Sequence, residues 1–199
     1  MASLLDPAAP RRLERSCGRP SDWLRVAPSR PGLERVEAFF SGHAYDPHRH
    51  DTYAIGITLH GVQSFRYRGA PASSTPGQAF VLHPDELHDG HAGTPAGFGY
   101  RILYLEPRLI QDALEDAPCP LPFVRDAVSN DARLTAAITP ALADLETPLE
   151  DLHLDQIVLD LAEALAAADP SSSEGSSWPG TGALSTRPAR SSMPACTSR

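Results

Sequence analysis

The sequence contains no lysine: all 17 of its basic residues are arginine, against 25 Asp and Glu, for a formal net charge of −8. A chain that binds nucleic acid non-specifically needs cations to replace phosphate counterions. No basic run and no recognition-helix pattern supplies them here. The exclusive use of arginine beside abundant Ala and Pro reflects a GC-rich coding sequence and says little about function. Cysteine is scarce as well. Cys17, Cys119 and Cys196 are far apart, odd in number and form no C-x-x-C pair, which excludes a zinc knuckle and a disulfide framework. That usage fits a reducing compartment, the cytoplasm. Nowhere do about 18 apolar residues run together, so no membrane span is expected. Residues 1–6 lack a basic region leading into an apolar run, so no signal peptide is expected either.

What is present suits one globular unit with tails: 199 residues, 41% of them hydrophobic, with Pro and Gly gathered at the two ends and at turns. Residues 1–30 read as a partly disordered arm with one anchor candidate, Trp23-Leu24. Residues 31–106 read as short strands broken by turn residues, at 36–40, 53–59, 62–68, 78–82 and 98–105, with a loop over 69–77. That spacing implies a sandwich or barrel. In the second of these strands Tyr53, Ile55, Ile57 and Leu59 share one face, and Ala54, Gly56 and Thr58 the other. The small residues leave room for something inside a barrel, or simply allow close packing.

After Pro107 the period changes to that of helices. A short helix is expected over 108–116, with Pro107 in its first turn. A second is expected over 131–146, with Asp131 as a cap and Pro140 as a kink or break. In the third, Leu154, Ile157, Val158, Leu161 and Leu165 form an apolar stripe at helical spacing. That stripe either packs on its own barrel or forms a dimer seam; one stripe cannot serve both fully. The segment 107–168 is taken as helical and dimerising. From 169 to 199 the chain is rich in Ser, Pro and Gly, and disorder is expected.

The most informative stretch runs from Gly42 to Tyr53. His48 and His50, one residue apart, point the same way on a strand, and His88 follows the turn around Pro84. Three imidazole nitrogens with open positions suit zinc, iron or another first-row divalent ion. His43, His60, His83, His91 and His153 read as surface or turn residues. Asp51 either orients a histidine through its ring N–H or faces solvent at a strand start.

Gly42, His48-x-His50 and Gly61 are spaced like the first cupin signature, and Pro76-Gly77, Pro84 and His88 resemble the second. Metal-binding cupins carry a carboxylate four or five residues after the second histidine, where this chain has Ala54 and Ile55. The run from Pro47 to Tyr53, then Gly61, Pro76-Gly77, Phe80-Val81-Leu82, Pro84 and His88 resembles the sensor domain of AraC-type transcription regulators. The resemblance covers about residues 33–168.

It implies a mainly β fold, a cupin-like jelly-roll barrel followed by two or three α-helices. It also implies a small-molecule effector held in the barrel and dimerisation through the helices. His48, His50, Tyr53, Phe65, Tyr67, His88, Tyr100 and Arg101 are the candidate ligand contacts, apolar walls with a few polar groups; core packing explains the aromatics equally well. The family's second half, two helix-turn-helix units that read DNA, has no counterpart in this sequence. Direct DNA binding is therefore not expected, and partners are a second copy or a full-length relative. The abrupt change of composition near Asp169 favours a truncated or frame-shifted regulator over a stand-alone sensor. The alternatives are a metal-dependent cupin oxygenase or isomerase using His48, His50 and His88, and a product without function. A non-enzymatic sensor that needs no cofactor is the reading preferred, with a divalent metal as the possible addition.

Overall fold

The structure, a computed structural model, describes residues 19–114 and 120–170. Three features expected from the sequence fall outside them: most of the arm, the end of the first helix and nearly all of the tail.

Two antiparallel sheets face each other as a jelly-roll barrel. One has six strands, in the order β1 (Trp23–Val26), β2 (Leu33–Phe40), β9 (Phe98–Leu105), β4 (Tyr53–Gly61), β7 (Ala79–Leu82) and β10 (Val128–Ser129). The other has four, in the order β3 (His43–His48), β8 (His88–Ala92), β5 (Gln63–Tyr67) and β6 (Ala70–Ser74). Helices α1 (Pro107–Ala113), α2 (Ala132–Ala143) and α3 (Asp151–Ala168) cover the outer face of the six-stranded sheet.

The central strands of that sheet are buried on both faces, and their alternation is the reason; the edge strand β1 is largely exposed. In β4, Tyr53, Ile55 and Ile57 join the helix-side core, while Ala54 joins the core between the sheets. In β9, Leu103 and Leu105 turn to the helices, while Phe98, Tyr100, Ile102 and Tyr104 turn inward. The small residues of β4 serve close packing. A Cβ on Gly56 would lie 2.4 Å from the Phe80 ring, and Phe80, Tyr100, Phe98 and Phe40 fill the interior with successive ring centroids 5.7–6.0 Å apart.

The stretch read as a loop over 69–77 contains β6, an edge strand that tolerates Pro71 because it pairs on one side only. It is joined to β5 by a two-residue turn in which Arg68 and Gly69 both have positive φ, 52° and 79°. This is the turn that suits strand twist. Helix α1 begins at Pro107, as its missing N–H allows. Asp131 caps α2 by accepting from the Arg133 N–H at 2.8 Å. The helix runs through Pro140 and stops at Ala143, three residues short of expectation.

Two arginines of the sheet take up the carbonyls left free at that end. Arg35, 1% exposed, donates to the carbonyls of Ala141 (3.3 Å), Asp144 (2.6 Å) and Thr147 (3.1 Å). Arg101 donates to those of Leu142 (2.8 Å) and Ala143 (3.1 Å) while paired with Glu37. Positive charge belongs at a helix C-terminus, and the carbonyls pair both terminal nitrogens of Arg35 while its buried Nε is left without a partner.

The stripe on α3 packs within its own chain. Ile157, Val158, Leu161 and Leu165 are at most 7% exposed, Leu154 packs beside them, and α1 and α2 are the neighbours. As a dimer seam these residues are therefore corrected: they form the core under the helices. The large apolar residues that α3 leaves exposed are Leu152 and Leu159, at 82% and 38%.

Removing the Arg35 side chain leaves a cavity and three unpaired carbonyls. Arg35→Ala is expected to lower unfolding stability by about 3 kcal/mol. Arg101→Ala, at a part-exposed site, is expected to cost about 1 kcal/mol. Urea denaturation of the two variants measures both.

Candidate functional site

His48 ends β3 and His88 begins β8, directly opposite each other in the antiparallel ladder. His50 lies in the turn that leads into β4. The three rings meet at one end of the barrel: centroids are 4.4 Å apart for His48–His88, 4.8 Å for His50–His88 and 6.1 Å for His48–His50.

Backbone carbonyls decide their tautomers. Nδ1 of His48 lies 2.9 Å from the Asp46 carbonyl, that of His50 2.8 Å from Thr52, and that of His88 2.9 Å from Glu86. A carbonyl only accepts, so each Nδ1 carries the hydrogen and each Nε2 is left as a lone pair. The Nε2 atoms of His48 and His50 are buried without a hydrogen-bond partner. Burial first, then the neighbouring imidazoles, pushes His88 down to about 4, and burial likewise lowers His50. At neutral pH both of these imidazoles are therefore uncharged.

Tyr45 stands edge-on to His48 and His88, at 5.2 and 6.3 Å, and Tyr104 edge-on to His50 at 5.5 Å. Below them Gln63 reaches the Tyr45 hydroxyl at 3.4 Å, and the Thr58 and Ser74 hydroxyls bond at 2.7 Å. Tyr45 fits because residue 90 is glycine: a Cβ there would lie 2.3 Å from its ring. None of Tyr45, Tyr104 and Gln63 was singled out from the sequence. Tyr104 carried a signal, as the next inward position after Tyr100 and Ile102. Tyr45 and Gln63 carried none that spacing alone reveals.

The other candidates divide by face. Phe65, Tyr67 and Tyr100 belong to the core between the sheets. Tyr67 is the cross-strand partner of His88, and its hydroxyl accepts from the His83 N–H at 3.1 Å. Tyr53 and Arg101 lie on the opposite, helix-facing side, which corrects their assignment to an interior pocket. The Tyr53 hydroxyl donates to the Pro122 carbonyl at 2.9 Å, and Arg101 caps α2. Both were misplaced because a sheet buried on two sides shows the same alternation whichever face is inside. Asp51 is exposed and the carbonyl of Thr52 holds the His50 ring. His83, in the turn after β7, is buried at 5% exposure.

Three Nε2 lone pairs are the donor set a first-row divalent ion accepts, and the two buried, partnerless Nε2 atoms fit such an ion. Among the described residues no carboxylate joins them: Ala54 faces the barrel core and Ile55 the helices. In this arrangement, among the described residues, no group of three or more His, Cys, Asp or Glu side chains is placed to hold a metal ion.

The family model of the AraC-like ligand binding domain matches residues 30–162. The chain belongs to the AraC-like ligand-binding domain family. Among solved structures, KdgF from Halomonas sp. is similar at 23% identity and a TM-score of 0.39, over 44% of this chain and 82% of that one. A cupin 2 conserved barrel domain protein from Leptotrichia buccalis is similar at 18% identity and 0.40, over 44% and 42%. Oxalate decarboxylase from Bacillus subtilis is similar at 16% identity and 0.39; the match spans 43% of this chain and only a quarter (25%) of that one. No curated protein matches. No helix among the described residues is long and apolar enough to cross a membrane.

His50, His83 and His88 all fold with pKa values below the ordinary 6.5 of imidazole, burial being the first cause in each. Below about pH 6.5 the unfolded chain binds protons that the folded chain refuses. Stability is therefore expected to be full above pH 6.5 and to fall as pH drops toward about 4, where His88 titrates. His88→Asn should flatten part of that fall, as read from urea midpoints across the pH range.

Proposed function

We propose that this AraC-like domain senses a small-molecule effector at the histidine end of its barrel and self-associates through the outer face of α3. The observation that carries the first part is the pair of buried, partnerless Nε2 atoms on His48 and His50. An unpaired buried acceptor costs stability unless something binds it, and Tyr45, Tyr67 and Tyr104 give that end of the barrel its apolar wall. A regulatory and non-enzymatic role in the cytoplasm agrees with the family. All three helices pack in the layer over the sheet, so among the described residues none is free to act as a recognition helix. The domain would then act through a partner: a second copy or a full-length relative.

The second reading is a metal-dependent cupin enzyme, an oxygenase or isomerase, with His48, His50 and His88 as ligands. The same orphaned lone pairs favour it. A bound divalent ion would supply Lewis acidity, and the three backbone carbonyls would hold the rings in the liganding tautomer.

A thermal-shift screen of small metabolites, run on the purified chain and on His50→Phe, tests the first reading. A ligand at a hundred times its Kd is expected to stabilise the chain by about 2.7 kcal/mol and to lose that effect in the variant. Hits that persist in His50→Phe would place the effector elsewhere. Metal content per chain, beside a His48→Ala/His88→Ala control, tests the second: near-stoichiometric metal lost in the control would turn the assignment toward an enzyme.

For self-association, Leu152→Glu/Leu159→Glu should give monomers in sedimentation with an unchanged melting temperature. Leu161→Ala, by contrast, should cost about 3 kcal/mol of fold stability.

A further inference from the structure

The turn between β7 and β8, residues 83–88, is held at both ends. Toward the site, the Asp85 N–H donates to the His50 carbonyl at 2.8 Å, the Arg49 guanidinium donates to the Asp85 carbonyl at 3.1 Å, and His88 closes the turn. Asp85 sits at φ 61°, in the left-handed region that a residue with a side chain adopts at a cost. Away from the site, the buried His83 ring lies edge-on to Tyr53 at 5.2 Å and stacks on Phe123 at 4.9 Å. Its Nε2 accepts from the Val124 N–H at 3.1 Å.

Residues 121–124 are fastened from every side. Besides His83, the Tyr53 hydroxyl donates to the Pro122 carbonyl. The Arg68 guanidinium covers Phe123 at 4.2 Å and Tyr67 at 4.9 Å while paired with Glu86 at 2.8 Å. The Phe123 N–H donates to the Asp169 carboxylate at 2.8 Å. Asp169 is the C-cap of α3. A negative charge there opposes the helix dipole, and the bond to Phe123 gives it a reason to be acidic.

Phe123 remains 41% exposed although it sits at the centre of these contacts. A ring serving only as core would be covered; this one is gripped on its faces by a cation and an imidazole instead.

We infer that residues 121–124 form a latch that ties the turn 83–88, and with it the histidine cluster, to the C-terminal end of α3. Movement of His50 or His88 on binding shifts the turn, the turn shifts His83, and His83 either holds or releases the strap on which the Asp169 end of the helix is tied. The functional meaning of the latch rests on the sensing reading above. Its test needs no ligand, so failure of either leaves the other standing.

The test is hydrogen–deuterium exchange on the full chain, comparing wild type with Asp169→Ala and, as a control on the same helix, Glu163→Gln. Asp169→Ala removes the acceptor that holds the Phe123 N–H. Exchange is expected to rise about tenfold in residues 120–127 and also in residues 83–90, while β9 stays protected and the control stays at wild-type rates. Coupling is reciprocal, so His88→Asn should speed exchange at 120–127 in return. Acceleration confined to 120–127 and the end of α3 overturns the latch. So does a rise spread evenly over the chain, which would be general destabilisation.

Discussion

Burial of the central strands of the six-stranded sheet on both faces is the constraint from which the rest follows. Each of its central strands must present two apolar patterns at once, one to the opposing sheet and one to the helices, and β4 and β9 do so by strict alternation. Polar groups on such a sheet have to find partners inside the protein. Arg35 and Arg101 meet that demand with the carbonyls at the end of α2. The helical layer is thereby tied to the barrel by charge as well as by apolar contact. With α2 held, α3 packs against it and closes the core with the same residues that spacing alone offered as a dimer seam.

At the barrel end the same demand is met only in part. Three backbone carbonyls satisfy three Nδ1 hydrogens, and nothing satisfies the Nε2 atoms of His48 and His50. Buried acceptors of this kind cost stability unless a donor or an ion reaches them, which is the physical content of the sensing reading proposed above. The interior below is filled by Phe40, Phe80, Phe98 and Tyr100. In the sensing reading proposed above, an effector meets the histidine end of the barrel, because the aromatic rings fill the interior below it.

Much of this was legible in the sequence, and the failures are physical. His48 and His50 were expected to share one strand face; β3 ends at His48 and His50 lies in the turn before β4, so that turn and not a two-residue repeat brings its ring to His48 and His88. The cap at Asp131 and the start at Pro107 follow from local chemistry that tertiary packing does not overrule. Tyr53 and Arg101 were misassigned because alternation reports that faces differ and not which one is inside. The α3 stripe carried the same ambiguity between two apolar destinations. β6 was missed because Pro71, Ser73 and Ser74 read as loop; only its place at a sheet edge makes that composition acceptable. Phe123 and His83 gave no local signal, since the contact of His83 with Phe123 and Val124 joins segments 40 and 41 positions apart.

The contact between Tyr45 and Gly90 binds two positions of the chain into one heritable unit. The ring occupies the volume that any side chain at 90 would need, so a lineage cannot enlarge residue 90 while keeping the aromatic at 45. Nor can it shrink residue 45 without opening a hole beneath His48 and His88. Change at this spot must come in pairs, by way of an intermediate that is either overpacked or hollow. A domain that drifts freely elsewhere on its surface is thus held back beside its histidines, by volume alone and whatever those histidines bind.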